Sequence, residues 1–328
     1  MFGIFDYRLI FADDARLRRK IAKYPTVLLY CLRKGHHDVA LRLIQLDVSC
    51  CDVVDRGETP LLYACRNNLP VIASAILGAD PTGGRSRVHH VDSEGRTATF
   101  WACNPQKPML EVFVRLMKME GVDFKRVDNA GDSILSLAIK RGLHVSPLVS
   151  CGRFDLLHVD RDGDTLLMTA IRNSFRRSDP DLITTLLAQP DILRNVGHVN
   201  KAGETALIIA VSHGPAPVTV VSQLLATGQA LPLHRDRAGR HALFHAIRGG
   251  FPTHCHVLLD TGLYNPYDRD RWGESLLELA CRRTLYDVIA RLSDNNVTLL
   301  KKVHQDVEDE RRREEERRLE EERQQQYN

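Results

Sequence analysis

Gly57–Glu58–Thr59–Pro60–Leu61–Leu62–Tyr63–Ala64 is the stretch from which the fold is read. The glycine leaves a tight turn, where a positive φ is favoured. Thr59 is placed to cap a helix and Pro60 to begin it, because the first helical N–H groups have no partner to lose. Leu61 and Ala64 then share one helical face, and the small alanine leaves room for a neighbouring helix. The phrase Gly-x-Thr/Ser-x-Leu-x-x-Ala, or a close variant, returns from Gly95, Gly131, Gly163, Gly203, Gly239 and Gly273, after a degenerate first copy at residues 24–31. The starts lie 32 to 40 residues apart. A period of this length specifies small stacked units that bury their apolar faces on one another, with no single closed core.

A second helix follows each phrase. Its start is often marked by proline, at Pro70, Pro108, Pro147, Pro180, Pro217 and Pro252. Its end carries paired apolar residues such as Ile76–Leu77, Leu186–Leu187 and Leu258–Leu259. An extended stretch then leads to a turn built on Asp55, Asp92, Asp128, Asp160, Asn200, Asp236 or Asp270. Turn, Gly-x-Thr-Pro-Leu-x-x-Ala helix, Gly-containing loop and a second helix ending in Leu-Leu together resemble the ankyrin repeat family over residues 24–292. Single copies depart from the pattern: His241 stands where Thr is usual, and Thr99 where Leu is. The resemblance implies an all-α repeat solenoid of stacked helix-turn-helix units with hairpin fingers. It also implies partner binding by finger tips and by the concave face of the first helices. The expected organisation is an N-terminal segment at 1–23 packing on the first repeat and an array of about eight repeats at 24–292. A capping helix follows at 293–307, built on Leu299, Leu300, Val303 and Val307, and then a charged solvated helix or disordered tail at 308–328.

The 43% hydrophobic content suffices for a continuous core, and the 6% aromatic content suits helices packed closely through Ala and Leu. Net charge is +3, too weak to imply a nucleic-acid partner on its own. Residues 308–323 hold nine acidic and six basic side chains, which leaves the rest mildly basic. A heptad seam fails after Val307, so this segment reads as a solvated single helix, with a dimerising coiled coil as the alternative. Cys65, Cys103 and Cys281 follow the alanine of their phrase, where other copies carry Ile or Val, so they read as reduced core thiols. Neither a secretory signal nor an apolar run of membrane-spanning length is visible, and the expected location is intracellular, cytoplasmic or nuclear.

Two columns of basic residues carry the site expectation. Two before each glycine, the last four copies place Arg161, Lys201, Arg237 and Arg271. Two after the alanine stand Arg66, Lys140, Arg172, Arg248 and Arg282. In the family geometry both columns face the groove or its rim, so Arg161, Lys201, Arg237, Arg271, Arg172, Arg248 and Arg282 would form a positive surface, joined by the finger-tip Trp272. Such a surface suits an acidic or phosphorylated protein segment. His90, His158, His198 and His234 share a register five before the glycine, but rungs ~10 Å apart cannot share one ion. With no nucleophile–base pair or phosphate loop in the pattern, no enzyme, cofactor, metal or small-molecule substrate is expected. The expected function is a monomeric protein-interaction module: an adaptor, scaffold or inhibitor. The alternatives are a nucleic-acid-associated regulator using the basic groove and a structural protein that self-associates through its C-terminal helix.

Overall fold

The computed structural model describes residues 14–46, 48–80, 87–103, 109–174, 179, 181–212, 216–293, 312, 316 and 317. The expected capping helix and nearly all of the charged tail lie outside the described residues. So do Phe175, Arg176, Arg177 and Ser178, an insertion between two helices of one repeat, and residues 81–86 of the connection that follows Gly78.

Repeated caps convert the phrase into helices. The hydroxyls of Thr59, Ser133, Thr165, Thr205 and Ser275 each accept the N–H three residues on, at 3.1 to 3.3 Å. Ser275 adds a full capping box with Glu278. His241 occupies the same position and makes no cap bond. The turn aspartates act one step earlier. Asp236 Oδ1 accepts the N–H groups of Ala238 and Arg240 at 2.8 and 2.9 Å, and Asp92, Asp128, Asp160 and Asp270 repeat the arrangement.

The chain divides into two compact units, residues 1–155 and 156–328. The first contains α1 (Asp14–Lys23), α2 (Val27–Arg33), α3 (His37–Leu46), α4 (Pro60–Arg66), α5 (Pro70–Ala79), α6 (Ala98–Ala102), α7 (Leu110–Lys118), α8 (Ile134–Lys140) and α9 (Ser146–Val149). First helices α2, α4 and α6 stack in one layer and second helices α3, α5 and α7 in another, with α1 against α3. The second unit contains α10 (Leu166–Asn173), α11 (Leu182–Leu187), α12 (Pro190–Arg194), α13 (Ala206–Ser212), α14 (Val218–Ala226), α15 (Ala242–Gly249), α16 (Pro252–Leu259), α17 (Leu276–Arg282) and α18 (Tyr286–Leu292). Its first helices α10, α13, α15 and α17 stack in sequence order, as do α14, α16 and α18. The fold is an all-α repeat solenoid; among the described residues β pairing is limited to isolated bridges such as Val159 with Thr165 and Arg269 with Ser275 at finger bases. The core is the leucine, isoleucine and alanine of these layers: Leu207, Leu243, Phe244, Leu258 and Leu276 are fully buried.

Candidate partner-binding surface

The fingers of the second unit alternate with period two, as an extended chain must. Residues five and three before the glycine turn inward to hydrogen bonds. His198 and His234 reach back with Nε2 to the carbonyls of Gly163 and Gly203, each at 3.0 Å, and His90 does the same to Gly57 in the first unit. A carbonyl only accepts, so Nε2 carries the proton. At His90, His198 and His234 the shared register is thus a finger-to-finger hydrogen bond. Residues two before the glycine point outward: Arg161, Lys201, Arg237 and Arg271 are all exposed. Lys201 Nζ donates to Arg161 O at 2.6 Å, which ties two neighbouring tips together. Backbone bonds join the fingers as well, from Lys201 N to Asp162 O and from Arg271 N to Ala238 O, both 3.0 Å.

Trp272 is 67% exposed on the last finger of the unit. One ring face is covered by the Arg240 guanidinium, 4.4 Å from the ring centroid. Arg240 is itself fixed by Asp270 Oδ2, at 2.9 Å from Nε and 2.7 Å from Nη2. The tryptophan is therefore presented on a braced cation–π stack. Tyr267, five residues earlier in the chain, is also exposed, whereas Tyr264 is half-buried with its hydroxyl donating to Pro232 O at 3.2 Å. Trp101 in the first unit is different: half-buried, flanked by Arg66 and Arg96, with its indole N–H on Asp92 Oδ2 at 2.8 Å. His245 holds the corresponding place in its own repeat and reaches Asp236 Oδ2 at 2.8 Å.

The second basic column is not a free positive stripe. Arg172 binds Asp164 at 2.7 Å and Glu204 at 2.6 Å. Burial works against its charge, but these two carboxylates outweigh burial and hold its pKa above the ordinary value. Arg282 lies 3.3 Å from Glu274, Arg66 2.9 Å from Glu58, and Lys140 2.6 Å from Asp132. In each of the four, an acid follows the finger glycine and its base stands eight residues on. That spacing was present in the sequence; reading the bases as a column without the acids overlooked it. Arg248 is exposed and pairs with no carboxylate among the described residues. Of the basic residues in these two columns of the unit, Arg237, Arg248 and Arg271 are thus exposed and paired with no carboxylate among the described residues.

The rungs also show compensation between neighbours. Arg96 reaches Asp128, and Arg240 reaches Asp270, each from the residue after one glycine to the turn aspartate of the next repeat. Asn200 replaces the turn aspartate where Asp164 replaces that arginine, and its Nδ2 donates to Asp164 Oδ1 at 2.7 Å. An aspartate at 200 would face Asp164 and Glu204 with no proton to offer.

Residues 28–77, which span α2 to most of α5, match the family model described as ankyrin repeats (many copies). Residues 28–77 carry ankyrin repeats. Such repeats generally mediate protein–protein interaction. Among solved structures, this chain is similar to one titled "Bd0816 Predatory Endopeptidase from Bdellovibrio bacteriovorus in complex with immunity protein Bd3460". Identity there is 20% over 60% of this chain and 97% of the matched chain, with a TM-score of 0.48. No curated protein matches the chain. Among the described residues, no helix is long and apolar enough to cross a membrane, and no cluster of His, Cys, Asp or Glu could hold a metal ion.

Proposed function

We propose that this chain is a non-enzymatic adaptor, scaffold or inhibitor that captures an acidic or phosphorylated segment of a protein partner on the fingers of its second unit. One observation carries the reading. Four consecutive fingers expose a basic tip, Arg161, Lys201, Arg237 and Arg271, and the last sets beside it an exposed Trp272 braced by Arg240. Tryptophan and arginine together are the composition of interface residues that dominate binding energy. Arg248 adds charge on the first-helix layer, while Arg172 and Arg282 contribute less because carboxylates already occupy them. The test is affinity capture from lysate with the whole chain and with an Arg237→Glu/Arg271→Glu variant. A specific protein retained by the first and lost by the second is the expected outcome. Equal retention removes this surface, and retention of DNA or RNA in its place moves the reading to a nucleic-acid regulator.

A further inference from the structure

Four repeats pair an acid after the finger glycine with a base eight residues later: Glu58–Arg66, Asp132–Lys140, Asp164–Arg172 and Glu274–Arg282. The repeat of Gly239 breaks this rule at one end only. The base is kept, as Arg248 at the C-terminal end of α15, and the acid is replaced by Arg240. Arg240 is committed to Asp270 and stacked on Trp272.

The acids of the neighbouring repeats are committed too. Glu204 is held by Arg172 at 2.6 Å and by Asn200 at 3.0 Å, and Glu274 lies against Arg282. Asp236 gives one oxygen to two backbone N–H groups and the other to His245. An exposed arginine is therefore left where the chain elsewhere supplies a carboxylate, with a second arginine in the acid's place.

We propose that Arg248 is the docking point for a carboxylate of the bound partner, an Asp or Glu side chain that fills the rung the chain leaves open. The inference rests on the reading of this unit as a protein-binding surface and specifies where an acidic residue enters it. Carboxylate is the chemistry that this register accepts in the other four repeats, and a guanidinium fork receives it through two parallel N–H donors.

The test uses the whole chain and fluorescence anisotropy with a fluorescein-labelled polyglutamate peptide, polyglutamine of equal length serving as control. The variant is Arg248→Ser, because the chain already carries Ser212 in the same register. An unchanged melting transition shows that the variant folds. Wild type is expected to bind polyglutamate in preference to polyglutamine, and Arg248→Ser to bind it about tenfold more weakly. Equal binding by Arg248→Ser overturns the proposal, as does a wild type that binds neither peptide. A wild type that prefers a labelled oligonucleotide of equal charge overturns it also. An Arg237→Glu/Arg271→Glu variant separates the two readings. If it loses polyglutamate while Arg248→Ser keeps it, the finger surface stands and this site falls. If both variants keep it, both readings fall.

Discussion

His241 shows how one substitution in a repeated phrase changes the chemistry of its rung. Five other copies cap their first helix through a Thr or Ser hydroxyl, whereas this ring is 0% exposed between Phe244 and Tyr264, each with its centroid 4.8 Å away. Neither ring nitrogen finds a hydrogen-bond partner, although Asp268 Oδ2 lies 3.4 Å from Nε2. Burial, aided by the Arg235 charge and opposed by Asp268, pushes the pKa down from 6.5 to about 4. Above about pH 6.5 the ring is neutral in the folded and unfolded chain alike. Below it the unfolded chain takes up a proton that the folded one refuses, so stability is lost as pH falls from about 6.5 through about 4. Urea unfolding across that window checks this: wild type should lose stability more steeply than His241→Asn. Equal slopes would assign the acid sensitivity to other groups, with His245, also shifted down mainly by burial, as the first candidate.

At the scale of the element, the finger turns hold two separable costs. Gly163 and Gly273 have nearly the same backbone, with φ of +82° and +83°. A Cβ on Gly163 would lie 2.8 Å from the backbone nitrogen of Lys201 in the next finger, whereas one on Gly273 would meet nothing within 4 Å. Gly273→Ala should therefore cost only the left-handed penalty, about 1 kcal/mol. Gly163→Ala should cost that and roughly 1–3 kcal/mol more, because two hydrogen-bonded fingers must part. Chemical denaturation of both variants reads the difference, and equal losses would mean that finger spacing carries no energy. The glycines, caps and turn acids behind this contrast were legible in the sequence because they act within about ten residues of one another. What one finger does to the next was not. The histidine bonds, the Asn200–Asp164 exchange and the cover on Trp272 join residues 31 or more apart in sequence, whose relation depends on stacking geometry. The acid partners of the second basic column were within local reach, and they were missed because bases were aligned with bases.

At the scale of the whole chain, cysteines report how a stacked array opens. Cys31, Cys50, Cys51, Cys65, Cys255 and Cys281 are buried, Cys103 is half-buried and Cys151 is exposed. Burial raises the thiol pKa to about 11 at Cys31 and Cys281 and to about 12 at Cys65, Cys103 and Cys255. The thiolate is the reactive form, so these groups are protected by access and by ionisation together. In native buffer Cys151 should alkylate first, with the buried thiols following only as their own helices separate. Each repeat is held mainly by its neighbours, so opening should proceed in parts along the chain and not as one event. Pulsed alkylation at increasing urea, read site by site by mass spectrometry, should then give separated midpoints for Cys31, Cys65, Cys255 and Cys281. A single shared midpoint would show that one cooperative block spans these positions, and nearest-neighbour stacking would not account for it.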